Sequence, residues 1–245
     1  MARQKGDLPA QCKNLYWEGH CYQQDDQLKK SLACFFKAEQ LKGLDAVTQF
    51  HNLMDLFNVS MSLHLPQEEI QSILDKLSPY KDARQIGGSK SMVLDAEYSF
   101  LSSCDKDAEA LAKAQEAFAS QIDKPPRYND NVYFEGLVTA YRLNGQIPDA
   151  WAVLRRWRRE GSTKFADTKR KQLMAELKLY YYEDKLDDAW DTLQHIKAEE
   201  QYLGRAGMYV STLESEILIG TKTGRIEQVK PALGIFFKKY RNSED

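Results

Sequence analysis

The sequence predicts an all-α protein, a right-handed α-solenoid of about six antiparallel helix hairpins. Three observations carry this. The stretch Asn131–Gly161 reads as one helix–turn–helix hairpin. Equivalent residues recur at a step of 39–40 along the whole chain. The period-2 alternation of strands is absent, and so are turn dipeptides between β-branched runs.

The clearest hairpin comes fourth. Phe134, Leu137, Val138 and Tyr141 have helical spacing. Asn144-Gly145 breaks the chain, and Pro148 stands just inside the next helix, where proline is tolerated. Ala150, Trp151, Leu154 and Trp157 then share a face, and Gly161 stops the helix. Two such helices cannot bury both apolar faces alone, so the hairpin requires neighbours of its own kind.

Those neighbours are found by stepping from Ala150. Ser31, Ile70, Ala110, Ala150, Ala189 and Val229 lie 39, 40, 40, 39 and 40 residues apart. Four of the six are Ser or Ala, as close helix approach demands. The row four residues on is Phe35, Leu74, Ala114, Leu154, Leu193 and Leu233. The row seven on is Ala38, Leu77, Ala117, Trp157, Ile196 and Phe236. Together the three rows make one face of each second helix. Nine before the anchors stand Tyr22, Met61, Leu101, Tyr141, Tyr180 and Gly220. Turns fall at Asp25-Asp26, His64-Leu65-Pro66, Asp105-Lys106-Asp107, Asn144-Gly145, Asp184-Lys185 and Thr223-Gly224. Longer connections join the hairpins at Gly43, Ser78-Pro79 to Gly87-Gly88, Lys124-Pro125-Pro126, Gly161-Ser162-Thr163 and Gly204 to Gly207.

Composition narrows the function classes. With 42% hydrophobic and 11% aromatic residues, the chain can bury a core. A net charge of −2 gives no whole-molecule pull towards nucleic acid or membrane. Cys12, Cys21, Cys34 and Cys104 lack disulfide-framework spacing and read as reduced thiols of an intracellular protein, expected in the cytoplasm, with nucleus or organelle as alternatives. No apolar run reaches the length of a membrane span, and the first residues lack the apolar core of a secretory signal.

The Asn131–Gly161 hairpin resembles a tetratricopeptide or pentatricopeptide repeat in Phe134, Leu137, Val138, Tyr141, Gly145, Ala150 and Leu154. Asn14 to Leu41 is similar to a tetratricopeptide unit, with Gly19, Tyr22, Phe35 and Ala38 at the marked places. The place of Gly19 becomes Asn58, Tyr98, Val138, Leu177 and Ile217 elsewhere, and the step exceeds the roughly 34 residues of that repeat. The chain thus resembles a divergent, TPR-like (TPR/PPR-like) helical-repeat protein. The expected domain is 11–241, with tails at 1–10 and 242–245. The resemblance implies a scaffold whose first helices line the concave side.

On that side the first row is Tyr16, Asp55, Asp95, Glu135, Met174 and Glu214, four of six acidic. The next is His20, Val59, Ser99, Thr139, Lys178 and Leu218, and the third is Gln23, Ser62, Ser102, Arg142, Tyr181 and Thr221. An acidic stripe there would favour a basic or amphipathic segment; equally, acids early in a helix satisfy its macrodipole. Exposed aromatics mark binding hot spots. Tyr180-Tyr181-Tyr182 cannot all be core, so Tyr181 and Tyr182, with Tyr16 and Trp17, are expected either in the groove or buried against the neighbouring hairpin.

A basic run opposes this surface. Arg155, Arg156, Arg158 and Arg159 surround Trp157, and Lys164, Lys169, Arg170 and Lys171 follow. Residues 131–171 hold nine Lys or Arg against four Asp or Glu. The region is the alternative site, for RNA or an acidic partner; read plainly, it is a solvated outer face whose arginine stems cover apolar area. A pentatricopeptide RNA reader carries a selecting polar residue in each unit, where this chain has Glu135. The last helix, with Ile235, Phe236 and Phe237 before Lys238, Lys239 and Arg241, is a weak polar cap and could self-associate.

No catalytic or metal signature occurs. His20, His51, His64 and His195 form no His-x-x-x-His pair, and Cys12, His20 and Cys21 fit no zinc spacing. Gly87-Gly88-Ser89-Lys90 is a connection rather than a phosphate loop. The expectation is a non-enzymatic adaptor without cofactor or metal, binding a protein partner within a larger complex and not inserting into membranes.

Overall fold

The computed structural model describes residues 7–25, 27–41, 43–83, 85–120, 130–161, 167–204 and 209–241. Those residues form helices, and no strand occurs among them. The pairs are α1 (Leu8–Gln24) with α2 (Leu28–Leu41), α3 (Ala46–Ser62) with α4 (Gln67–Leu77), and α5 (Ser89–Ser103) with α6 (Asp107–Ala119). They continue as α7 (Asp130–Leu143) with α8 (Ile147–Glu160), α9 (Thr168–Tyr182) with α10 (Leu186–Tyr202), and α11 (Val210–Lys222) with α12 (Ile226–Arg241). A short 3-10 helix, Ser78–Asp82, fills part of the connection after α4. The chain divides into two compact units, Met1–Asp123 and Lys124–Asp245, each a stack of three hairpins.

Each unit has its own core. In the first, Phe35, Phe50, Phe57 and Leu77 pack between α2, α3 and α4 and towards Val93 and Phe100 of α5. In the second, Met174, Trp190, Leu193, Ile196, Ile219 and Val229 join α9 to α12. The anchor row is buried in every hairpin, at most 4% exposed. The rows four and seven residues on are buried from Phe35 to Ile196; Leu233 and Phe236 of α12 are half-buried. Pairing and stacking both converge on this face, which is why small or apolar residues recur there.

The turns share a backbone state. His64, Asp105, Gly145, Asp184 and Gly224 are all left-handed, with φ of 51°, 57°, 70°, 58° and 73°. The next amide then reaches back to close the helix: Lys106 to Leu101 O (3.0 Å), Gln146 to Tyr141 O (2.9 Å), Lys185 to Tyr180 O (2.9 Å) and Arg225 to Gly220 O (2.7 Å). This is a Schellman closure. The accepting residues belong to the row nine before the anchors, so that row is fixed by turn chemistry as well as packing. In the second hairpin Leu65 N–H reaches Ser60 O (3.1 Å), one residue before Met61 of the row.

Some expectations need correction. α1 begins at Leu8, inside the stretch expected as a tail. Gly161 ends α8 in extended rather than left-handed backbone, φ −65° and ψ 146°. It is glycine because a Cβ would meet Trp157 O and Cδ1 at 2.5 Å. The Lys124-Pro125-Pro126 connection, Asp26, Ser162-Thr163, Lys164, Gly207 and residues 242–245 lie outside the described residues, as do the side chains of Lys239 and Arg241.

A polar cluster joins the fourth and fifth hairpins. Trp157 Nε1–H donates to Asn131 Oδ1 (2.7 Å), and Asn131 Nδ2–H donates to Thr168 Oγ1 (2.9 Å). Phe134 stacks parallel on Trp157 at 6.1 Å. All four side chains are buried, so the cluster fixes which residues of α7, α8 and α9 meet.

Candidate functional site

In the first unit the expected groove residues come together on α1 and α3. Tyr16 stands edge-on to His20 at 4.6 Å and to Trp17 at 5.4 Å. His20 Nε2 lies 3.1 Å from Asp55 Oδ2. Asp55 is half-buried, and loss of water holds its carboxyl above the usual range, against the opposing pull of His20, the Tyr16 hydroxyl and His51. Tyr16 is pushed up to about 12 by burial and then by the Asp55 charge. Trp17 covers this cluster yet stays 58% exposed. Asp95, on α5, is half-buried.

In the second unit α7, α9 and α11 carry the corresponding rows. Glu135 lies 3.6 Å from Lys171 Nζ. Thr139 and Arg142 are half-buried, while Lys178 and Glu214 are exposed. Although Lys178 as a whole residue is exposed, partial desolvation lowers its pKa, and Arg142 lowers it further, with Glu135 opposing. Tyr180 packs edge-on against Trp151 at 5.0 Å. Tyr181 is half-buried under the Lys222 ammonium, 4.4 Å from its ring centre. Tyr182 is 49% exposed. Two residues assigned to the exposed rows are instead core: Val59 and Met174 are buried. A first helix packs against its own partner and the adjoining hairpin, and this leaves it a narrower open stripe than the repeat register alone suggests.

The acidic row is therefore interrupted at Met174, and two of its acids are engaged. Asp55 has His20 and Tyr16, and Glu135 has Lys171. Sequence reasoning missed Lys222 and His51. A signal existed for Lys222, which stands one repeat plus two residues after Tyr180.

The basic region changes most. Arg156 pairs with Glu160 (2.6 Å), Arg158 with Glu176 (2.7 Å) and Lys169 with Glu199 (2.6 Å). Arg170 is not a surface cation: it is buried, donates to Asp167 Oδ1 (2.8 Å), stacks on the Tyr209 ring at 3.8 Å and lies 3.7 Å from Glu200. Glu200 also accepts from Thr212 Oγ1 (2.6 Å). One turn of α9 thus places its guanidinium between α10 and the start of α11. Arg155 and Arg159 are exposed, with no ion pair among the described residues. Towards the end of the chain, Leu218, Ile226, Ile235 and Phe237 are exposed. Among the described residues no group of three His, Cys, Asp or Glu could hold a metal ion. No described helix is long and apolar enough to cross a membrane.

Comparison with known proteins separates sequence from fold. No family profile and no curated protein matches the chain. Solved structures do match. A provisional kinesin light chain of Podosopora anserina, with nearly identical TPR-like repeats, is 14% identical. It aligns with a TM-score of 0.58 over 81% of this chain and 99% of its own. A single-substitution form of it gives 0.61 over 82% and 100%, again at 14% identity. A tetratricopeptide repeat protein of Parabacteroides merdae is 9% identical, with a TM-score of 0.56 over 94% of this chain and 80% of its own. The fold is that of a TPR-like helical-repeat protein.

In this TPR-like chain the first hairpin keeps the repeat's close approach. A Cβ on Gly19 would meet Phe35 Cε1 at 2.6 Å. At the same place Tyr98, Val138 and Leu177 are buried, so those three hairpins pack around a side chain where the first packs against bare backbone, while Asn58 is exposed and Ile217 half-buried.

Proposed function

We propose that this TPR-like protein is a non-catalytic scaffold that binds a protein partner through its first helices, within a larger complex. TPR-like folds generally serve as protein-interaction scaffolds. The observation that carries the proposal is Trp17, an indole left 58% exposed on a first helix over a cluster of Tyr16, His20 and Asp55. Exposed tryptophans backed by packed neighbours are the side chains that dominate binding interfaces. Tyr182 and Lys178 give the second unit its own exposed groups on α9. The RNA reading weakens, because Arg156, Arg158, Arg170, Lys169 and Lys171 each have a carboxylate partner.

The test is affinity purification of the full chain, wild type against Trp17→Ala, with and without ribonuclease. Specific protein partners should survive ribonuclease and be lost with Trp17→Ala, while thermal stability stays close to wild type because the indole is not core. Partners that persist in Trp17→Ala and Tyr182→Ala, or that vanish with ribonuclease, would overturn the reading.

A further inference from the structure

A second concave surface lies on α4, α5 and α6 of the first unit. Two adjoining cavities, of about 430 and 260 Å³, share Gln71, Asp75 and Phe100. They form one trough, open to solvent. α4 is one wall, and the end of α5 with the start of α6 is the other. The trough follows α4 from Gln67 to Ser78, roughly 16 Å at the helical rise.

Leu101, half-buried, gives the trough an apolar floor beside the core residues Leu74 and Phe100. The walls are acidic. Among the described residues no cation pairs with Glu68, Asp75 or Glu109, although Gln71 donates to Asp75 at 2.8 Å. Of the two lining lysines, Lys113 is held by Glu97 and Glu116, and Lys106 has no carboxylate partner among the described residues. The available charge is thus three acids against one lysine. Small ligands bind in pockets that enclose most of their surface, whereas this trough is open along its length. With no metal-holding group among the described residues, side-chain cations are the natural counter-charge.

We infer that this trough binds a basic, apolar-anchored peptide segment of a partner protein, its anchor on Leu101 beside Phe100 and its Lys or Arg side chains on Asp75, Glu68 and Glu109. The surface is independent of Trp17, so either can fail without the other.

The probe is a phage-displayed library of random 16-residue peptides, panned on the full chain carrying Cys21→Ser. The enriched peptides should be net basic and carry an apolar residue. A synthetic copy should lose at least ten-fold in affinity for Asp75→Lys and for Glu109→Lys, and should keep its affinity for Trp17→Ala. Attachment of a bulky maleimide to Cys104, which lines the trough and is half-exposed, should block it. Asp75 and Glu109 are exposed, so the variants should fold, and circular dichroism checks this. Enriched peptides that are neutral or acidic, or whose affinity is unchanged by both charge reversals and by the Cys104 label, would overturn the inference.

Discussion

Replacing Asn131 by Leu should cost far more than a surface substitution, although the two side chains are similar in size. Asn131 accepts from the Trp157 indole at 2.7 Å and donates to Thr168 at 2.9 Å, and Trp157 is fully buried. Leucine leaves the indole N–H without its acceptor in a site water does not reach, at about 1–3 kcal/mol, and removes the bond to Thr168, worth roughly 1 kcal/mol. The expected total is about 3 kcal/mol, or on the order of 10 °C in the melting of the second unit. Adding Trp157→Phe to the Asn131→Leu variant removes the orphaned N–H. The double variant should therefore lose less than the sum of the singles, with a coupling of about 0.5–3 kcal/mol. Urea titration followed by far-ultraviolet circular dichroism measures all four proteins. A loss below about 0.5 kcal/mol for Asn131→Leu, or strict additivity, would show that the cluster does not hold α7, α8 and α9 together.

Three further outcomes follow from the same structure. Gly220→Ala should destabilise by about 1–3 kcal/mol, because its Cβ would collide with the rigid side chain of buried Val229; Gly234→Ala, with nothing within 4 Å, should stabilise by up to about 1 kcal/mol. Differential scanning calorimetry separates the two signs. Arg170→Ala should cost about 3–5 kcal/mol by stranding Glu200, whereas exposed Arg155→Ala should fall within about 0.5 kcal/mol; equal losses would return Arg170 to the surface. Asp55 and Glu200 both have raised pKa values, so the folded state holds protons that the unfolded state releases. Their contribution is full below the ordinary carboxylate range and declines as pH rises through the raised values. Asp55→Asn should flatten part of that decline in melting temperature, and an unchanged profile would count against it.

How much of this could be read from the residues differs by feature. The anchor row from Ser31 to Val229 was legible because one period, 39–40, and one demand, close packing, act on every unit. The open stripe was harder. Val59 and Met174 have the register of Lys178 and Glu135 but are covered by neighbouring helices, and register does not report cover. Arg170 meets Glu200, Glu135 meets Lys171 and His20 meets Asp55, each across 30 to 36 residues of chain. No local pattern marks which of many charges at that distance will meet. Arg170 looked like one more cation in a run, yet its place on the inward side of α9 made it core.

The left-handed turns carry a consequence for how such a chain changes over time. At the turns inside five of the hairpins the same backbone state is met by His, Asp, Gly, Asp and Gly. What each repeat inherits is an angle and a returning hydrogen bond, and several residues can supply them. Letters can therefore be exchanged at these corners while the spacing of the array is held constant. Likeness between such proteins then lies in the path of the backbone rather than in the spelling; here a shared fold accompanies only 9–14% identity.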